Sequence, residues 1–301
     1  MSRGPLVVAG YLTIDISARV EQIPSLDARV TAAQVWRSHG GMAANCACAA
    51  ARLGSEVSFF GHAGDDALSD ESLAALEACG VEAGGVVRSA GSGSICLILV
   101  APDGGRAIVS PPLRFDWRRL DAALADGVAG FHVDGYRLDD ALPRAAAARA
   151  RGVTTSIDLD GVESLAWEDA RSAAQAFSVL LLNRGVVAAL DREPADAAGE
   201  LAAAGADAVC VTLGADGVVV AAQDAPAAGI RGLVVETVDT TGAGDVFAGA
   251  FLHRLLGGAG PVAAAAFANA AAALSTTAAG ARGLLPVELD VLRLLESNPK
   301  H

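Results

Sequence analysis

Residues 239–251 read DTTGAGDVFAGAF, an acid and two threonines leading into glycine–alanine–glycine and then an apolar stretch. The preceding VVETV reads as a strand, and Val246, Phe247, Ala250 and Phe251 fall on one helical face. Gly242, Ala243 and Gly244 therefore stand at a helix N-terminus, where the first backbone N–H groups lack intrahelical partners. Those donors and the helix dipole favour an anion, and glycines let a phosphate approach the backbone closely. Asp245 lies in the first turn beside that pocket. A carboxylate there can take the proton from an alcohol as the alcohol attacks phosphorus. The plainer alternative is a turn with an acid that only stabilises the helix dipole. The common nucleotide motifs do not apply: residue 247 is Phe, the first strand is followed only by Gly10, and the chain has no G-K-[ST].

Two other segments carry polar groups in suggestive settings. In HGGMAANCACAAARLG (39–54), Gly40 and Gly41 precede a helix that begins near Met42, with Asn45 one turn in. Paired glycines allow backbone approach to a ligand, and an amide both donates to and accepts from a hydroxyl. A glycine-rich turn with a capping asparagine is the alternative. Asp15 sits between Ile14 and Ile16 in a strand-like run, where an exposed edge charge is the simpler reading.

The elements that must position these residues alternate. PLVVAG (5–10), EVSFFG (56–61), GVAGFHV (127–133), VTTSIDL (153–159), FSVLLLN (177–183) and DAVCVTL (207–213) read as short buried strands. Helical stretches lie near 42–53, 66–79, 139–150, 163–175 and 194–204. This implies βαβ units and a mostly parallel sheet with helices on both faces. Two stretches break the rhythm: TIDISARV (13–20) with VTAAQVW (30–36), and GSICLILVA (93–101) with RAIVS (106–110). They predict hairpins forming a small separate sheet, a lid over about 12–38 and 92–113. After Gly217, VVVAA and GLVVETV predict strands that lead into helices 243–256 and 261–278. A single domain over 1–301 is expected.

Composition narrows the function. Apolar residues make up 52% of the chain and charged residues 19%, as in globular rather than disordered proteins. A net charge of −13 argues against a nucleic-acid partner. Lys300 is the sole lysine, so no catalytic or phosphate-binding lysine is available in the body of the chain. The five cysteines are odd in number and lack metal-site spacing, which predicts free buried thiols. Residues 261–279 are alanine-rich with Asn269, Ser275 and Thr276 inside, so a buried helix is expected rather than a membrane span. With no signal-peptide pattern, a cytoplasmic protein with no membrane partner is expected.

Taken together, the motifs resemble those of the ribokinase-like, or PfkB, carbohydrate kinases over essentially the full chain. The resemblance rests on Asp239-Thr240-Thr241-Gly242-Ala243-Gly244-Asp245 with Phe247-Ala248-Gly249-Ala250, and on Gly40-Gly41, Asn45 and the trailing ALA-ARG-LEU-GLY at 51–54. The Gly61…Gly64-Asp65-Asp66 loop, VTLGADG (211–217) and NAAAALSTTAAGARGLLP (269–286) extend it in the family's order. It implies a three-layer α/β/α, Rossmann-like sandwich of about nine strands with a β-lid, and a kinase using ATP and Mg2+. It further implies Asp245 as general base, Gly242, Ala243 and Gly244 as an anion hole, and Asp15, Gly40, Gly41 and Asn45 as sugar ligands. Thr212, Gly214, Gly217 and Asn269 would meet the nucleotide. Asp239 and Thr241, with carbonyls near 276–282, would border a K+ site.

One departure stands out. Where the family often has Asn-x-x-Glu, this chain has Asn183-Arg184-Gly185-Val186. Sulfofructose kinases are similar here, and share the Asp158-Leu159-Asp160 run; Asp158 or Asp160, with Asn183, would then order Mg2+ through water. A strand-end acid pair in solvent is the competing reading. The expected reaction is phosphorylation of a sugar or sugar-like alcohol. A nucleoside kinase is an alternative that needs aromatic stacking from Tyr11, Trp36, Phe115 or Trp117, and a non-catalytic sugar-binding protein is another. Arg37, Arg106 and Arg137 are candidates for selecting an anionic sugar. The resemblance also implies a homodimer through the lid.

Overall fold

The computed structural model describes residues 4–298 apart from 92, 103, 104, 126, 163 and 224. Its main sheet has eight strands, in the spatial order Ala228–Arg231, Gly217–Ala222, Ala208–Thr212, Val179–Asn183, Thr154–Asp158, Gly130–Asp134, Leu6–Ala9 and Val57–Phe60. The six strands from Ala208–Thr212 onward are parallel, and the two at the far edge pair antiparallel.

Most of the parallel strands are apolar because both faces are covered; TTSID at 154–158 is the exception, with Thr155 bonded to Ser178 and Ser156 to His132. Leu6 and Val8, with Val179 and Leu181, face a core built with helices Met42–Arg52, Ala243–Leu256 and Pro261–Ser275. Val7 and Ala9, with Leu180 and Leu182, face the opposite core under helices Leu138–Arg149, Trp167–Ala176 and Pro194–Ala204. Alanine richness lets these helices pack closely. A Cβ on Gly249 would lie 2.5 Å from the Cys46 carbonyl oxygen and 2.9 Å from the Ala49 Cβ. That approach brings the start of helix 243–256 against the start of helix 42–52, which sets up the site.

The lid is a four-stranded sheet in the order Ala32–Gly40, Thr13–Val20, Ile95–Val100, Arg106–Val109. The outer pairs are antiparallel, as the two hairpins predict, and the middle pair is parallel. Alternation along the strands turns Asp15, Cys96, Ile98, Arg106 and Ile108 toward the cleft. Val35, Leu97 and Val109, at 63%, 51% and 66% exposure, lie on the other side.

The structure corrects several expectations. GLVVETV is not a strand; the edge strand is Ala228–Arg231. The cause is Gly232, whose N–H donates to the Asp216 carbonyl at 3.1 Å. A Cβ there would stand 2.0 Å from the Ala215 carbonyl oxygen, so the chain turns off the sheet edge at this glycine. Val234 is consequently 96% exposed along the cleft rim. With Ala228–Arg231 in that run's place, the main sheet has eight strands, where the resemblance implies about nine. Helices Trp117–Ala123, Arg184–Ala189 and Glu288–Ser297 were not foreseen, and the helix expected over 261–278 ends at Ser275. Among the described residues, no helix is long and apolar enough to cross a membrane.

Candidate active site

The sheet's strand ends, the lid and the start of helix Ala243–Leu256 enclose a cleft of about 1800 Å³. Its floor is the turn at Gly242, which adopts a left-handed φ of 77°. A Cβ on Gly242 would lie 2.6 Å from the Ala281 Cβ, so neither conformation nor space admits a side chain. The first bond of the helical ladder runs from Val246 N to Gly242 O at 2.9 Å. The amides of Gly244 and Asp245 precede it, and both residues line the cleft.

Asp239 braces this turn. Its carboxylate accepts from Thr241 N (2.9 Å), Thr241 Oγ1 (2.7 Å) and Gly280 N (2.9 Å), tying residues 239–241 to the loop after helix Pro261–Ser275. Although burial opposes ionisation, the bonds from Thr241 and Gly280 and the nearby Arg106 hold the carboxyl below its ordinary range. Arg106 reaches over from the lid to donate to Thr241 Oγ1 at 3.1 Å.

Asp245 accepts a 2.7 Å bond from Asn45 Nδ2, across the close helix contact. Burial raises its pKa to about 7; the Asn45 bond and Arg282 act downward, while the charges of Asp160 and Asp134 act upward. A carboxyl poised near neutrality suits a general base. Asp15 accepts from Thr13 Oγ1 at 2.7 Å, and burial raises it against the opposing effects of Thr13, Arg282 and His39.

The paired glycines serve separate ends. A Cβ on Gly40 would stand 2.1 Å from Asp15 Oδ2. Gly41, at φ 94°, has its missing Cβ 2.2 Å from the Tyr11 carbonyl oxygen. Gly40 thus leaves room for the carboxylate, and Gly41 lets the chain enter the helix. Asp15, Gly41, Asn45, Gly242, Ala243, Gly244 and Asp245 all line the cleft, with Gly40 immediately behind Asp15.

Thr212, Gly214, Gly217 and Asn269 line the far end of the same cleft. Gly217, at φ 104°, sits where a Cβ would be 2.0 Å from the Ile230 carbonyl oxygen. Asn269 Nδ2 is already committed to the Arg231 carbonyl at 2.8 Å, so it fastens the edge strand beside the groove.

Asp158, Asp160 and Asn183 also reach the cleft. Asp158 Oδ1 accepts from Asp160 N at 2.9 Å, and burial holds its carboxyl well above the usual range. Asn183 Oδ1 accepts from Val186 N at 2.9 Å, which caps helix Arg184–Ala189, and Val186 packs on the core. Among the described residues, no three His, Cys, Asp or Glu side chains gather as a metal cage. An all-oxygen set of this size fits a magnesium ion held chiefly by phosphates and water.

Of the candidate anion-selecting arginines, Arg106 and Arg137 line the cleft, while Arg37 pairs with Glu71 at 2.9 Å on the lid's outer edge. The structure also reveals residues to which the sequence attached no role. Arg282 Nε donates to Asn45 Oδ1 at 2.7 Å and its Nη2 to Gly40 O at 3.0 Å. Asp134, fully buried at a strand end, accepts from Tyr11 N at 2.9 Å. Arg282 lies within a quoted motif, yet nothing in its neighbours' types signals a partner 237 residues away.

The family model described as pfkB family carbohydrate kinase matches residues 5–288. The chain is 32% identical to an ATP-dependent ribose-1-phosphate kinase of Halopiger xanaduensis, covering 91% of this chain and 92% of the relative. It is 31% identical to fructokinase-1 of Oryza sativa, covering 98% and 99%. Among solved structures, an Arabidopsis thaliana ribokinase complexed with ribose and ATP has the same fold, with a TM-score of 0.84 at 24% identity over 97% of this chain and 99% of that one.

Proposed function

The chain belongs to the pfkB family of carbohydrate kinases, and from that premise we propose that it transfers the γ-phosphoryl group of ATP to a hydroxyl of a small sugar, with Asp245 as general base. The observation that supports this most is the joining of Asn45, Asp245 and the Gly242–Gly244 turn at one end of a cleft that Asp15 also lines. In this reading Asp15 and Asn45 hold acceptor hydroxyls, and Asp245 takes the proton of the attacking one. The amides of the Gly242–Asp245 turn, of which that of Ala243 also donates to the Thr240 carbonyl at 3.2 Å, receive the charge of the moving phosphoryl group. There is little covalent work for the protein, so positioning and anion stabilisation carry the rate. Asp158, Asp160 and Asn183 are the groups that would meet a magnesium ion, which supplies charge neutralisation on the phosphates. Asp239 and Thr241, with the 276–282 loop they hold, would border a K+ ion.

The acceptor end favours a sugar over a nucleoside. Of the aromatic candidates, Phe115 and Trp117 pack on each other with centroids 4.8 Å apart, and Trp36 lies near Arg19 on the lid. Tyr11 alone among them lines the cleft, its ring edge-on to Tyr136 at 4.7 Å. Arg106 and Arg137 at the cleft wall make an anionic sugar, such as the Halopiger relative's ribose 1-phosphate, the second reading. ADP release from Mg-ATP over a panel of neutral sugars, sugar phosphates, sulfosugars and nucleosides tests the proposal. Turnover with a sugar or sugar anion is expected. Sugar binding with no ADP formed by any acceptor would mean a non-catalytic sugar-binding protein instead.

The lid's outer face carries Val35, Leu97 and Val109 as an exposed apolar row. In register, Leu97 pairs with both Ile16 and Val109 on neighbouring strands, so the row is continuous. Apolar sheet faces of this kind are usually covered. A homodimer through the lids is expected, and light scattering at micromolar concentration should give twice the monomer mass. Leu97→Asp should shift it to the monomer; a wild-type monomer would remove the idea.

A further inference from the structure

The residue that ties the parts of this site together is not among those expected to touch substrate. Arg282 stands on the loop after helix Pro261–Ser275, which is anchored at Gly280 N by Asp239 Oδ2 and packed by Ala281 against Gly242. From there its guanidinium crosses to the lid–helix junction. Nε donates to Asn45 Oδ1 at 2.7 Å and Nη2 to the Gly40 carbonyl at 3.0 Å.

An asparagine amide has an acceptor end and a donor end. At Asn45 the acceptor end meets a cation that can only donate, and the donor end meets Asp245 Oδ2 at 2.7 Å. Turned over, the amide would set its NH2 against the guanidinium and its oxygen against the carboxylate, two repulsive contacts in place of two bonds. Asn45 is 3% exposed, so water is poorly placed to relieve them. Charge-assisted bonds of this kind are the stronger ones and fix geometry. The second bond, to Gly40, holds the glycine that leaves room for the Asp15 carboxylate.

We propose that Arg282 is a positioning residue for phosphoryl transfer: it fixes the orientation of the Asn45 amide, and through it the Asp245 carboxylate. This rests on the reading of Asp245 as the base. The charged and titratable groups around Asp245 come from several elements. Cys46 lies beside Asn45 on helix Met42–Arg52, Asp134 ends one strand, Asp158 ends the next with Asp160 just beyond it, and Arg282 comes from the loop. Arg282 in turn faces Asp15 and His39 from the lid. The carboxylates around Asp245 disfavour its ionised form, and Arg282 is the cation among these groups that favours it.

Removing the cation raises the pKa of Asp245, so the acid limb of kcat/KM moves to higher pH. For Arg282→Met, we expect kcat at pH 7 to fall at least ~10-fold, the lower range for an outer partner of a reacting group. The acid limb should move upward, with the KM for ATP within a few-fold of wild type. Arg282→Lys keeps the charge but cannot make both bonds, so its limb should stay near wild type while kcat falls. Far-ultraviolet circular dichroism confirms that each variant is folded; should Arg282→Met not fold, the Arg282→Lys split between kcat and limb decides alone.

Asp245→Asn, assayed beside them, separates the two claims. If that variant stays active, the base reading fails and this inference falls with it. If it is inactive while Arg282→Met keeps the wild-type limb and a kcat within two-fold, Asp245 remains the base and the role of Arg282 is overturned. A wild-type kcat for Arg282→Lys overturns the two-bond orientation.

Discussion

Asp245→Asn is expected to lower kcat by at least ~10²-fold, the lower range for a positioned acid–base group, and to leave ATP and sugar binding largely intact. The amide keeps the volume and can still meet Asn45, but it takes no proton from a hydroxyl. The loss should fall on kcat rather than KM, because the interaction removed is made as the proton moves. A folding defect is not expected, because the half-buried wild-type carboxyl has a pKa of about 7, well above an unfolded carboxyl. For such a group the folded state's preference for the proton costs stability as pH rises from about 4 through 7, and the full cost is present above that. The neutral amide lacks that cost, so at pH 8 the variant should melt no lower than wild type by scanning calorimetry. Activity within a few-fold of wild type would sink the assignment.

Asp15→Ala should raise the sugar KM or abolish turnover and leave nucleotide affinity near normal. A carboxylate bonding hydroxyls contributes about 1.5–3 kcal/mol per charged bond, so one lost bond predicts a rise of roughly 10-fold or more. Thr212, Gly214 and Gly217, the groups proposed to meet the nucleotide, belong to the main sheet's strand ends and not to the lid. Isothermal titration with a non-hydrolysable ATP analogue and with the sugar separates the two ends. Equal losses at both would show that the substitution disturbed the fold, contrary to a local role in holding the acceptor.

Much of this architecture is legible from pattern because burial on two sheet faces forces continuous apolar runs, and PLVVAG or FSVLLLN can hardly be anything else. The lid is legible for the opposite reason, since its hairpins lack an intervening helix. GLVVETV misleads because its valines satisfy no sheet face. Val234 and Val235 line the cleft rim after Gly232 turns the chain away, Leu233 packs on the core and Val238 is exposed, so the run serves no strand. Gly40, Gly41 and Asn45 are readable as a local motif, as is the Gly242–Asp245 turn. The links between them are not, because Asn45 and Asp245 are 200 residues apart and meet only through packing at Gly249. Asn183 and Asn269 show the limit from the other side. Each lines the cleft as expected, and each has its amide engaged with the backbone, capping a helix in one case and fastening an edge strand in the other.

The pH dependence of kcat/KM tests the central claim most directly, because burial raises two carboxyls near the site to about 7: Asp245 in the cleft, and Asp134, held by backbone donors from Tyr11 and Ala43 behind the cleft wall. Burial raises Asp158, which also lines the cleft, as well, so the assignment rests on comparing variants. With a sugar acceptor and saturating Mg-ATP, kcat/KM should fall as pH drops through about 7, since the base must be ionised to accept a proton. Asp134→Asn should keep a limb, moved to lower pH because the Asp134 charge that raises Asp245 is gone, and Asp245→Asn should lose it along with most of the rate. A limb that survives unchanged in Asp245→Asn, at undiminished rate, would contradict the account.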